Sequence, residues 1–60
     1  MDKIVIKLAD GNTFKGELVK IDESEIVIKD VKYKNVVSES KIHREVHVMK
    51  VHIVYYYIDE

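Results

Sequence analysis

The most constraining feature of this sequence is an alternation of apolar and polar side chains with a period of two. The first run places Ile4, Ile6 and Leu8 on one parity. A period of two is the pattern of a half-buried β-strand, and no stretch of about 12 residues carries a convincing helical period. Short runs of this kind, with turn signals about every 8 to 12 residues, are typical of a small all-β barrel.

The first half of the chain contains three of these runs. Asp10-Gly11 follows the first run and is a strong hairpin signal, because glycine adopts positive φ without steric cost. The second run covers about Thr13 to Asp22. It contains Gly16, which predicts either a β-bulge or a bend that folds the sheet over itself.

The third run, about residues 25 to 33, begins after the turn residues 22 to 24. Its alternation predicts that Ile26 and Ile28 face one way and that Val27 and Val31 face the other. Residues 34 to 41 are predicted to form a loop, either alone or with the ends of two long strands attached. The fourth run is about residues 42 to 49, and the fifth is about residues 53 to 58.

The size and composition favour one domain, residues 1–60, that gains stability by self-association. A chain of 60 residues without cysteine buries little core and has no disulfide to compensate. The absence of cysteine fits a cytoplasmic protein. The formal net charge is −1, and no apolar run approaches the roughly 20 residues of a membrane helix, so no membrane partner is expected.

The sequence carries no pattern typical of an enzyme or of a cofactor site. There is no phosphate-binding glycine loop and no supported catalytic triad. His43 and His47 lie four residues apart, which is roughly 13 Å along a strand, too far to hold one metal ion. We therefore expect no catalytic activity, no metal and no cofactor.

The last run is unusually apolar for an edge strand, because it has no charge between Ile53 and Ile58. An uncharged, aromatic edge invites pairing with another strand. We predict that a second copy pairs there. The alternative is that two of the three tyrosines face the core and one faces solvent. The predicted interface residues in the last two runs are Val46, Val48, Ile53, Val54, Tyr55, Tyr56 and Tyr57.

The first half of the chain resembles the first signature motif of the Sm and Sm-like (Hfq-like) family. The motif has a turn glycine, then an aromatic residue three positions later, a second glycine, an aliphatic residue and a closing Asp. The matching positions in this sequence are Gly11, Phe14, Gly16, Leu18 and Asp22. The second motif matches more weakly, in the stretch from Val48 to Tyr56, with Lys50 in its turn and without the usual Arg-Gly pair.

The resemblance implies a five-stranded, strongly bent antiparallel barrel of the Sm-like, SH3-type class, here without an N-terminal helix. It also implies a homo-oligomeric ring of five to eight subunits, in which the fourth strand of one subunit pairs with the fifth strand of the next. Many members bind single-stranded RNA near the pore. The positions that correspond to the RNA pocket are Ser24 and Lys50, with His52 nearby.

Two alternatives to an RNA-binding ring remain open from the sequence. Asp22, Glu23 and Glu25 surround Ser24, and carboxylates repel a phosphate backbone, which favours a structural or protein-interaction ring. A monomeric SH3-type interaction module would explain the strands but leaves the last strand unpaired.

Lysines are also spread along the chain, and Lys29, Lys32 and Lys34 lie close in sequence with Tyr33 among them. They form either an ordinary solvated surface or a basic patch that binds nucleic acid away from the pore.

Overall fold

The computed structural model of the chain describes residues 2–35 and 37–59 and is all-β. The described residues contain six strands and one short 3₁₀ helix, η1, joined by turns and loops, and no α-helix occurs among them. The elements are β1 (Lys3–Leu8), β2 (Thr13–Ile21), β3 (Glu25–Lys34), β4 (Glu39–Ile42), β5 (Val46–Met49), η1 (Lys50–His52) and β6 (Ile53–Asp59). None of the helical residues described could form a span long and apolar enough to cross a membrane.

All strand pairs are antiparallel, in the order β4-β3-β2-β1-β6, and β5 pairs with β3 beyond β4. The sheet is not closed: within residues 2–35 and 37–59, no strand pairing joins β6 to β4 or β5. The all-β class predicted from the alternation is therefore confirmed, whereas the count of five strands is wrong.

The two predicted hairpin turns are both present. Gly11 adopts φ of 95°, and its N–H donates to the carbonyl oxygen of Leu8 at 3.1 Å. The Asp10 carboxylate accepts from the backbone N–H of Asn12 at 3.0 Å, which fixes this turn. At the second turn the N–H of Asp22 donates to the carbonyl oxygen of Glu25 at 2.8 Å.

The core is built from β1, β3 and β5. The buried core cluster consists of Ile4, Ile6, Ile26, Ile28, Val31 and Val48. Phe14 and Leu18 of β2 pack against it as half-buried residues, as the alternation predicts. Phe14 also makes an edge-to-face contact with Tyr33, with 5.6 Å between the ring centroids.

Gly16 lies opposite a bulge in β3, which was one of the two predicted possibilities. Lys15 pairs with Lys32 and Glu17 pairs with Lys29, so β3 has one residue more than β2 in this interval. Asp30 supplies the irregular backbone, with φ of 51°. The extra residue turns Val31 to the same side as Ile28, so the prediction that Val31 shares a face with Val27 is wrong.

The possibility that strand ends extend into residues 34 to 41 is confirmed, whereas the continuous fourth strand at 42 to 49 is wrong. Lys34 ends β3, and β4 already occupies Glu39–Ile42. A break at residues 43 to 45 then separates β4 from β5. Only residues 35 and 37–38 form the described part of the loop, where the Asn35 side-chain oxygen accepts from the N–H groups of Val37 and Ser38, both at 2.8 Å.

Candidate functional site

β6 forms one edge of the sheet and leaves its apolar side chains exposed. It pairs with β1, and its other edge is unpaired within the residues described. Tyr56 pairs with Ile6 and Ile58 with Ile4, so both lie on the core side of the sheet. They remain 41% and 38% exposed, and Val54 is 63% exposed. Such an edge offers both backbone groups and apolar side chains to an added strand.

Tyr55 and Tyr57 lie on the opposite side of β6, facing away from the core. They pair with Lys7 and Val5 of β1. Their rings are nearly parallel, with an interplanar angle of 16° and 6.4 Å between centroids. The alternative that two tyrosines face the core is wrong, because only Tyr56 lies on the core side and all three are exposed.

The other predicted interface residues divide between the two strands. Val48 is buried in the core, and Val46 and Ile53 are half-buried against it. β5 pairs with β3 at one edge, and its other edge has no partner strand in the described part of the chain. Val46 and Val48 therefore position the free backbone edge of β5, and their side chains stabilise the subunit itself.

The residues predicted to contact RNA are only partly brought together. The N–H of Lys50 donates to the carbonyl oxygen of Ser24 at 2.9 Å, so the two turns touch. The carbonyl oxygen of His52 instead accepts from the N–H of Ala9 at 2.9 Å, which places His52 at the turn between β1 and β2. The structure thus joins Ser24 to Lys50, whereas His52, which ends η1 two residues after Lys50, contacts the turn between β1 and β2.

The surroundings of Ser24 are acidic. Lys20 pairs with Asp22 at 3.2 Å, which neutralises one carboxylate. Glu25 forms a hydrogen bond with Nδ1 of His47. Glu23 is exposed, and no ion pair engages it among the residues described.

The histidines do not converge on a metal-binding arrangement. Residues 2–35 and 37–59 contain no group of three or more metal-ligating side chains. His47 and His52 line one side of an open pocket of about 390 Å³ together with Leu8, Phe14 and Met49. His43 lies in a different groove, on the other side of the sheet.

The strand register aligns the scattered lysines on one side of the sheet, facing away from the core. They form three rows that run across the strands from β6 towards β4. The first row is Asp59, Lys3, Glu17 and Lys29. The second row is Tyr57, Val5, Lys15, Lys32 and Lys41. The third row is Tyr55, Lys7, Thr13, Lys34 and Glu39. We call these three rows the basic face.

The basic face concentrates positive charge that the composition conceals. Its seven lysines and three carboxylates give a net charge of +4, whereas the whole chain has a net charge of −1. The lysines were evident in the sequence, but the rows were not. In β1, β2 and β4 the available signal was parity, because each lysine of the basic face lies at an odd or even position opposite to the core residues of its strand. In β3 the bulge gives Lys32 and Lys34 the parity of the core residue Ile28.

A groove of about 400 Å³ crosses the basic face at the bulge. Lys3, Lys15, Lys32 and Lys41 line it, and Glu17 and Asp30 add two carboxylates. Lys15 pairs with Asp59 at 3.3 Å and Lys32 pairs with Glu39 at 3.7 Å. Within residues 2–35 and 37–59, no ion pair engages Lys3, Lys34 or Lys41.

The comparisons with known proteins establish the fold and no family. No protein-family model matches the sequence, and no curated protein matches it. Among solved structures, a chain in the crystal structure of the NatC complex bound to CoA superimposes with a TM-score of 0.84. The alignment covers 97% of this chain and 75% of that chain, at 19% sequence identity. At this identity the likeness shows the shared fold alone.

Proposed function

We propose that this chain is a subunit of a homo-oligomeric, Sm-like ring that serves as a scaffold. The observation that carries the proposal is the uncovered apolar edge of β6, where Val54, Tyr56 and Ile58 are 38% to 63% exposed. A small domain gains stability when such a surface is buried by a partner. The partner that the fold itself supplies is the free edge of β5 in a second copy.

Pairing of β6 with β5 of the next copy is a head-to-tail contact. Because the two surfaces differ, each added copy presents a fresh β6 edge, and the series either closes into a ring or grows into a filament. The two edges lie on successive elements, joined only by η1. This arrangement supports the Sm-like assembly, in which the strand before the final turn pairs with the final strand of a neighbour.

A role of the ring in binding RNA is supported by the contact between the turns of Ser24 and Lys50. In a ring, every copy would present this pair of turns at equivalent positions. Lys50 supplies one phosphate donor there, while Ser24 offers no aromatic face for a base. The carboxylates of Glu23 and Glu25 oppose a phosphate backbone at this position, so Lys50 carries this role alone.

A second candidate function is a ring or module that binds proteins only. The similar chain in the NatC complex structure comes from a multi-protein assembly, so a domain with this fold is compatible with such a setting. The apolar β6 edge would then receive a strand from a different protein. The native mass of the purified chain separates this function from self-assembly.

The test is the mass in solution by light scattering or native mass spectrometry. A closed species of five to eight copies of the 7.1 kDa chain supports the proposed ring. We expect Tyr56→Lys to dissociate it, because a charge on the core side of β6 would be buried at the interface without a partner. Tyr55→Lys, on the opposite side of the same strand, is the matched control and should leave the mass unchanged.

Two outcomes would contradict the proposal. A wild-type monomer would exclude self-assembly and favour the module that binds other proteins. An unchanged mass for Tyr56→Lys would show that the copies join elsewhere. Circular dichroism on each variant distinguishes dissociation from unfolding.

A further inference from the structure

We propose that the basic face binds single-stranded nucleic acid, with its lysines on the phosphates and with Tyr55 and Tyr57 stacked on bases. This site is distinct from the turns of Ser24 and Lys50. It also goes beyond the proposed ring, because strand addition at the sheet edges leaves the faces of the sheet uncovered. The inference therefore applies to a monomer and to a ring alike.

The lysines of the second row are aligned as direct cross-strand neighbours. Lys15 is the direct cross-strand partner of Lys32, and Lys32 is the direct partner of Lys41. Like charges directly opposite each other destabilise a sheet. Lys15 and Lys32 each form an exposed ion pair, with Asp59 and Glu39. Lys41 forms none within residues 2–35 and 37–59, and a polyanion laid along the row would neutralise the charge that remains.

The second row is long enough to meet more than one phosphate. From β6 to β4 it crosses four interstrand spacings of about 4.8 Å, or roughly 19 Å in all, and its three lysines span two of them, or roughly 10 Å. The same three lysines line the groove of about 400 Å³. A linear polyanion can follow such a path, whereas a single small anion would engage only one or two of the lysines.

A pair of tyrosines lies at the β6 end of the rows. Tyr57 begins the second row and Tyr55 begins the third, and their side chains are about half exposed, at 50% and 53%. Parallel exposed rings at the end of rows of lysines are an arrangement that binds bases irrespective of sequence, because every base has a π-face. Bases are free to stack in this way only when the strand is unpaired.

The test is fluorescence anisotropy with labelled single-stranded RNA and DNA of about 15 nucleotides, within the site sizes of small β-barrel binders. Affinity is measured between about 50 and 200 mM salt. We expect binding that weakens steeply with salt. For the double variant Lys32→Gln/Lys41→Gln, the slope of log K against log salt should fall in magnitude by about 1.4, since each phosphate contact in a single strand contributes about 0.7.

The tyrosines should affect binding differently from the lysines. Tyr55→Thr/Tyr57→Thr should weaken binding about tenfold or more while leaving the salt slope unchanged. The matched control is Lys20→Gln, which removes one lysine charge outside the basic face. It should change neither the affinity nor the salt slope. Lys32→Gln/Lys41→Gln should remain folded, because it removes a like-charge pair together with one exposed ion pair, Lys32 with Glu39, and circular dichroism checks this.

Several outcomes would overturn the inference. One is the absence of binding by the wild type at the lowest salt. Another is binding that Lys50→Gln abolishes and the basic-face variants do not, which would place the nucleic acid at the turns and support the ring's RNA role instead. Equal affinity for heparin with no effect of the tyrosine variants would reduce the basic face to a general polyanion surface. Light scattering on each variant shows whether a change in affinity is accompanied by a change in assembly.

Discussion

At the residue scale, Gly16 is a position where the fold leaves no room for a side chain. A Cβ at Gly16 would lie 2.8 Å from the carbonyl oxygen of Lys29 and 3.3 Å from a methyl group of Val31. The nearer atom belongs to the backbone of β3 and cannot rotate away. The bulge at Asp30 creates this close approach.

We therefore expect Gly16→Ala to destabilise the protein by about 2 kcal/mol, within the usual cost of overpacking. Urea unfolding of the variant and the wild type measures the difference. Glu17→Ala, at the next position of β2, is the control and should change stability by less than about 1 kcal/mol. Equal stabilities for Gly16→Ala and the wild type would mean that the two strands lie farther apart.

The sequence indicated that Gly16 was special, but it could not reveal which strand held the extra residue. Asp30 looks like an ordinary polar position in an alternating run, and only its φ of 51° marks the bulge. Asp is among the residues that tolerate this conformation. Alternation beyond an unrecognised bulge assigns the wrong face, and this explains the error at Val31.

At the scale of elements, the same bulge accounts for the divided fourth strand. Ile28 pairs with Val46 and Val31 pairs with Ile42. Between these pairs β3 has two residues and the opposite chain has three, so the pairing is interrupted at residues 43 to 45. No glycine or proline marks the interruption in the sequence. It follows from the shape of the neighbouring strand, which a local pattern does not contain.

The two sheet edges should be distinguishable by hydrogen exchange. β3 has strand partners at both edges, β2 on one side and β4 with β5 on the other, so its amides should exchange slowly. In the assembled protein, the alternate amides of β6 that point away from β1 should also be protected. We expect Tyr56→Lys to lose that second protection and to keep the first. Fast exchange at those β6 amides in the wild type would contradict strand addition.

At the scale of the whole molecule, the net charge gives no indication of the local charge on the basic face, which depends on the strand register. A net charge of −1 gives no sign of a surface with a charge of +4. The three rows join residues far apart in sequence, such as Lys3 with Lys29 and Lys15 with Lys41. Parity places each lysine of the basic face on one side of β1, β2 and β4, but the bulge reverses it within β3, and only the pairing of strands decides which lysines become neighbours. The hairpins and the core of β1 could be predicted, and the basic face could not.

The stability of the whole molecule should depend on its concentration. Within residues 2–35 and 37–59, only eight apolar residues are buried, while a domain of this size buries only about 60% of its unfolded surface. Burial of the β6 edge in an assembly would therefore supply part of the folding free energy, and binding of native copies to each other raises the melting temperature by mass action. We expect Tm to rise measurably over a hundredfold range of protein concentration in calorimetry, and to be constant for Tyr56→Lys if it still folds. A wild-type Tm that is independent of concentration, together with a monomeric mass, would show that the small core is sufficient without a partner.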